Sequence, residues 1–154
     1  VGDLMSSESR TAWVVKSSSV EKPWGEETSW QSPNAVRVKT FSLSKGKRNS
    51  FKYNRLKDEL LICASGKLRA YFADESLVTK NIGDITSQEL SPGMALSVQA
   101  SCPYRLEALE DSTILEISTT SRTDDVVRLH DDYGRETEFI SKYVTGVVKK
   151  WFPT

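Results

Sequence analysis

At 154 residues, with 38% hydrophobic and 27% charged side chains, the chain has the size and composition of one ordinary globular domain with its own core. Its 21 basic and 21 acidic residues cancel, which argues against a general nucleic-acid surface or an anionic-membrane surface. No apolar run approaches a membrane span and no secretory signal stands out, so a cytoplasmic setting is expected; the two scattered cysteines, Cys63 and Cys102, make neither a disulfide scaffold nor a zinc site.

Residues 1–19 read as a partly flexible N-terminal segment, in which Trp13-Val14-Val15 suggests an edge strand before a serine run. Pro23-Trp24-Gly25 is a turn carrying a large aromatic. Thr28 to Ser44 reads as two short strands around Ser32-Pro33-Asn34; in the second, Arg37, Lys39, Phe41 and Leu43 share one face. Ser50 to Asn54 alternates as a strand that puts Lys52 and Asn54 on one face. Arg55 to Asp58 is its turn, Glu59 to Ala64 is the return strand, and Ser65-Gly66 turns the chain again.

Further along, Lys67 to Ala73 alternates, Asp74 to Asp84 is a polar loop, and Ser91-Pro92-Gly93 is a tight turn. Met94 to Val98, Tyr104 to Ala108 and Thr113 to Ser118 continue a series of short, evenly spaced strands, the pattern of a sandwich or barrel. Glu136 to Phe152 is the helical segment. Its pairs Phe139-Ile140, Tyr143-Val144, Val147-Val148 and Trp151-Phe152 form an apolar stripe that would pack on the barrel or across a dimer interface, the alternative being a membrane-surface helix. That stripe, with the open sheet edges, predicts a homodimer.

Gly46 is followed by five residues, Lys52-Tyr53-Asn54, four residues, Glu59, six residues and Gly66. This resembles the first motif of a cupin. Gly93 to Ala108 has the spacing of the second, with Gln99, Ser101, Tyr104 and Ala108 where proline, glycine, histidine and asparagine are usual. Within the cupins the chain is similar to the type II mannose-6-phosphate isomerase group, through Lys22-Pro23-Trp24-Gly25, Ser50-Phe51-Lys52-Tyr53 with Glu59, and the string Asp124 to Arg135 (DDVVRLHDDYGR). The resemblance implies an all-β fold: a double-stranded β-helix, or jelly-roll barrel, over residues 20–135; the amphipathic helix of the segment 136–154 is read from its apolar period and lies beyond the resemblance. It also implies a carbohydrate ligand, a sugar phosphate or nucleotide sugar, inside the barrel. Trp24 then either plugs one end of the barrel or walls the pocket, and Lys39 and Arg135 become candidate ligand contacts.

The four positions that hold a metal in such barrels carry Lys52, Asn54, Glu59 and Tyr104. A protonated ammonium has no lone pair, an amide oxygen is a poor ligand for a transition metal, and a phenol must first ionise. No metal and no other cofactor is therefore expected, and isomerisation assisted by a Lewis acid is not. The pocket would either bind its ligand without chemistry, using Lys39, Lys52, Asn54, Arg135 and Trp24, or run metal-free isomerisation or epimerisation with Lys52, Glu59 and Tyr104 exchanging protons. A dimeric scaffold that binds protein is the third reading. In any of these, Lys52 is expected to pair with Glu59, directly or through a shared network, because a buried carboxylate needs a counter-charge.

Overall fold

Alternating strands, Ser112–Thr119 most regularly, build two antiparallel sheets whose inner faces meet. In this computed structural model, which describes residues 9–31, 36–119 and 125–154, the first sheet runs in the order β1 (Ser18–Lys22), β2 (Gly25–Trp30), β3 (Val36–Leu43), β10 (Ser112–Thr119), β5 (Glu59–Ser65), β8 (Ala95–Val98). The second runs β11 (Val126–His130), β4 (Phe51–Asn54), β9 (Tyr104–Ala108), β6 (Leu68–Phe72), β7 (Thr86–Leu90). Successive strands such as β4 and β5 fall in opposite sheets, so the chain winds as the expected jelly-roll barrel. Ser32-Pro33-Asn34 and Asp124 lie outside the described residues.

The registers gather one set of strand ends into a mouth. Val36 pairs with Thr119, Glu59 with both Ser118 and Val98, Asn54 with Val126, and Lys52 with Tyr104. The opposite end is closed by apolar packing: Trp24 meets Phe41 edge-on with ring centroids 5.4 Å apart, over a core that includes Leu43, Leu61, Leu106 and Ile114. Gly66 ends the β5 hairpin at φ +87°, and a Cβ there would fall 2.4 Å from the Asp111 carbonyl oxygen, so only glycine fits.

Three local expectations change. No strand forms at Trp13-Val14-Val15; β1 begins at Ser18. The polar loop from Asp74 contains a single helical turn, α1 (Ser76–Thr79), anchored by the buried Leu77. The C-terminal helix, α2 (Lys142–Trp151), starts six residues later than its periodicity suggests. Ser141 fixes that start, since its hydroxyl accepts from the Val144 N–H at 3.1 Å, the geometry of an N-cap. Glu138 instead donates its N–H to the Arg128 carbonyl, which ties residues 136–140 alongside β11.

The helix lies on the outer face of the second sheet of its own barrel. Val144, Val147, Val148 and Phe152 are buried with Phe51, Ala73, Leu77 and Ile85 in a second apolar cluster. Only Phe139, outside the helix, and Tyr143 leave large apolar area exposed from the stripe. Most of the surface that suggested a dimer is thus covered within one chain.

Candidate functional site

The mouth owes its shape to the turn between β4 and β5. Asp125 binds that turn through its carboxylate, which accepts from the N–H groups of Leu56 (2.9 Å) and Lys57 (3.1 Å), and through its carbonyl, which accepts from Arg55 N–H. The turn delivers Glu59 beside Asn54, whose Nδ2 donates to Glu59 Oε1 at 2.6 Å. Across the second sheet Lys52 is the register partner of Tyr104, and its ammonium lies 4.8 Å from the centre of the phenol ring. The four residues at the expected ligand positions therefore meet inside the barrel. Asn54, Glu59 and Tyr104 are buried there, and Lys52 is half-buried.

Glu59 makes its direct ion pair with Lys57, so of the two expected arrangements with Lys52 the direct pair is absent. Lys57, from the turn, places its ammonium 3.6 Å from Glu59 Oε2, whereas Lys52 has no carboxylate within ion-pair distance among the described residues. Lys52 still feels Glu59 electrostatically, but burial outweighs that attraction and pulls its pKa down to about 8. Lys52 therefore releases its proton more readily than an ordinary lysine.

A second carboxyl, Glu116, completes the site. It projects inward from β10 in phase with Ile114 and Ser118, is 3% exposed, and faces Glu59. Burial first, then the charge of Glu59 and a hydrogen bond to it, push Glu116 up to about 8. Burial alone would raise Glu59 as well, but the hydrogen bond with Glu116, the charges of Lys52 and Lys57, and the Tyr104 hydroxyl bring it below the usual carboxylate range. One proton is therefore shared by the two carboxyls, and at neutral pH it resides on Glu116. Tyr104 is held well above its ordinary pKa by burial and by both carboxyls, so it remains a neutral donor.

The other candidates are placed differently. Lys39 is the register partner of Glu116 and faces the same interior, but its ammonium is paired with Glu27 at 3.0 Å. Trp24 sits at the closed end, the length of a strand away from the mouth. Arg135 is clamped by Asp131 at 2.8 Å with its guanidinium over Tyr133, and Arg128 stands between it and Lys52 electrostatically. His130 lies beneath α2, its ring 5.6 Å from that of Phe152.

Two clefts open the mouth. One, of about 850 Å³, is lined by Lys16, Ser29, Trp30, Arg37 and Lys39 among others; the second, of about 380 Å³, has Glu59 and Ser118 at its floor with Ser97, Gln99 and Thr119 around it. Val36 borders both. Asn54 Oδ1, Ser118 Oγ and Glu116 Oε2 are buried with no hydrogen-bond partner, three oxygens at one place that a hydroxyl-rich molecule could satisfy. A transition metal does not fit these residues. No group of three or more His, Cys, Asp or Glu converges among the described residues, and the carboxyls present are already occupied by ammonium, amide and each other.

Glu116 was legible in principle, as a glutamate in the buried phase of a strand beside Ile114. Lys57 carried no signal, since a lysine in a turn is ordinarily solvated. Arg128 was present within the family-like string, with nothing to mark it as inward-facing until its pairing with β4 was known.

No family model matches the sequence, and no curated protein does. Solved structures share the fold at low identity. CapF, solved with the inhibitor 3-isopropenyl-tropolone, is 16% identical with a TM-score of 0.61, covering 75% of this chain and 35% of its own. KdgF from Halomonas sp. is 16% identical with a TM-score of 0.57, covering 70% of this chain and 89% of its own. Oxalate decarboxylase from Bacillus subtilis is 13% identical with a TM-score of 0.63, covering 79% and 33%. The chain spans about a third of the length of CapF and of oxalate decarboxylase. These neighbours share the jelly-roll fold read from the strands.

Proposed function

We propose that the chain binds a sugar phosphate or nucleotide sugar in a metal-free pocket at the barrel mouth. The observation that carries this reading is the composition of the buried interior. Lys52 and Lys57 supply positive charge beside three unpartnered oxygens, with two clefts leading in from solvent. Charge suits a phosphate, and unpartnered acceptors suit sugar hydroxyls. One of the fold neighbours is the capsular polysaccharide assembling protein CapF from Staphylococcus aureus, which is consistent with a carbohydrate setting. The finer resemblance to the mannose-6-phosphate isomerase group rests on the sequence strings, and it makes mannose 6-phosphate the first ligand to test.

The test is thermal stabilisation of protein purified without added metal, using mannose 6-phosphate, other sugar phosphates, nucleotide sugars and the matching neutral sugars. Phosphorylated ligands should raise Tm in the presence of a chelator, while neutral sugars act weakly. A stoichiometric transition metal lost together with binding, or no response to any carbohydrate, overturns the reading.

A second reading, metal-independent isomerisation or epimerisation, is favoured by one specific feature: the neutral acid Glu116 and the amine Lys52 both titrate at about 8 within the same interior. Lys52 in its free-base form would remove a proton from carbon next to a carbonyl, and Tyr104 or Glu116 would protonate the carbonyl oxygen. Incubation of candidate sugars in deuterated water checks this, since proton exchange at that carbon must accompany turnover. Binding without exchange leaves the first reading alone.

A further inference from the structure

Lys52 of β4 and Arg128 of β11 are direct register partners, so both side chains project from the same face of the second sheet. Like charges placed opposite one another in this way destabilise a sheet. The usual remedy is an acid bonded to both, and among the described residues none pairs with either; Glu59 and Glu116 act on Lys52, and Asp131 on Arg128, only through space. Neither residue has a carboxylate within ion-pair distance among the described residues, and Arg128 Nε is buried with no partner. The neighbouring acids are engaged elsewhere: Glu59 by Asn54 and Lys57, Glu116 with its proton, Asp131 by Arg135, and Glu27 by Lys39. Arg135 adds a third cation, close enough to repel Arg128 in turn.

We infer that Lys52 and Arg128, with Arg135 behind them, form an anion site at the β4–β11 edge of the barrel that receives the phosphate of the ligand. The inference rests on the sugar-phosphate reading and deepens it, by assigning the phosphate to this pair and leaving Lys39 to its partner Glu27. The chemistry suits the two residues: a guanidinium offers paired N–H donors to two phosphate oxygens, and an ammonium adds a point charge. Neither residue is sealed in the core: both are half-buried, although Arg128 Nε itself is covered. A phosphate monoester or a diphosphate would convert two opposed cations into a bridged pair.

The experiment compares wild type, Arg128→Gln and Lys39→Gln, with binding of inorganic phosphate and of mannose 6-phosphate followed by 31P NMR and calorimetry. Sodium chloride at matched ionic strength serves as the control for screening. Arg128→Gln should weaken binding of both probes by about tenfold or more, and should raise the Tm of the free protein by relieving the repulsion. Lys39→Gln should leave affinity within about twofold. Should Arg128→Gln not fold, Arg128→Lys keeps the charge but loses the paired donors, and it should bind phosphate more weakly than wild type.

Unchanged affinity in the Arg128 variants, or a loss confined to Lys39→Gln, overturns the inference while leaving the sugar-phosphate reading in place. Stabilisation of wild type by chloride equal to that by phosphate also overturns it. Failure of wild type to bind either probe, or any nucleotide sugar, overturns both.

Discussion

The Glu59–Glu116 pair makes stability depend on pH in a predictable direction. Glu116 has a folded pKa of about 8, above the ordinary value of 4.5, so the folded state binds the extra proton. Its favourable contribution is complete below about pH 4.5 and is lost as pH rises through 8. Lys52 has a folded pKa of about 8 against an ordinary 10.5, so its penalty is full below 8 and fades between 8 and 10.5. Denaturation midpoints should therefore fall from pH 5 to pH 8, and Glu116→Gln, which keeps a donor for Glu59 but cannot ionise, should flatten that fall. A wild-type midpoint that does not move over this range would show that the pair shares no proton.

Lys52→Met follows the same reasoning. Because burial outweighs attraction for this ammonium, the substitution should leave the fold as stable or more stable, the reverse of what a direct Lys52–Glu59 pair demands. Urea midpoints at pH 6 measure it. The sequence placed Lys52, Asn54, Glu59 and Tyr104 at one site because motif spacing fixes strand register. Their pairing was not legible, because it depends on where the turn aims Lys57 and on Glu116 arriving from a strand more than fifty residues away in the chain.

Arg105 is fully covered on the outer face of β9. Its Nε donates to the Asn49 carbonyl at 2.7 Å, one Nη reaches the His130 carbonyl at 3.4 Å, and the guanidinium lies 4.6 Å from the centre of the Phe152 ring. Its role is to clip β11 and the approach to β4 onto β9. Arg48 already neutralises Asp132 at 2.6 Å, so Arg105→Met strands carbonyls more than it strands a charge. A loss of about 1–3 kcal/mol is expected from equilibrium urea unfolding.

Among the elements, α2 illustrates how periodicity can overrun a boundary. The apolar stripe continues through Phe139-Ile140, but these residues precede the Ser141 cap and run alongside β11 instead. A four-residue period records which side chains are apolar; the cap decides where helical hydrogen bonding begins. The helix is held by its buried valines, by Phe152, and by Asp84, which accepts from Trp151 Nε1 at 2.7 Å and from the Lys150 ammonium at 2.6 Å. Phe152→Ala empties a site touched by Phe51, Tyr71 and His130 and uncovers Arg105 and Arg48. It should lower stability by about 3–5 kcal/mol, whereas Ser141→Ala should lower it by about 1 kcal/mol. Similar losses for the two in urea unfolding would mean that α2 is anchored by its cap and not by its far end.

For the molecule taken entire, jelly-roll topology was readable from even strand spacing and glycine-framed turns, since both are local. Assembly was not, because an apolar stripe looks the same whether its partner is the chain itself or another copy. Homodimerisation stays a proposal on other grounds: β1, β8, β7 and β11 are open sheet edges, and Val14, Val15, Val20, Trp30 and Val36 leave apolar surface exposed around β1. Sedimentation across a concentration series should give a dimer that Val20→Lys dissociates. A wild-type monomer at the highest concentration removes the proposal.

The cover over Arg105 also has a consequence in time. Strand β9 can pair with β4 and β6 as soon as those segments exist, but Phe152 follows Arg105 by roughly fifty residues, on the order of several seconds at ordinary rates of synthesis. During that interval the nascent barrel carries a charged, half-solvated trough flanked by Phe51, Tyr71 and Ile85, which is an open invitation to chaperones. Completion of this face is set by the arrival of Phe152 as much as by the strands, and a ribosome stalled between the two would leave the second sheet paired with its outer face uncovered.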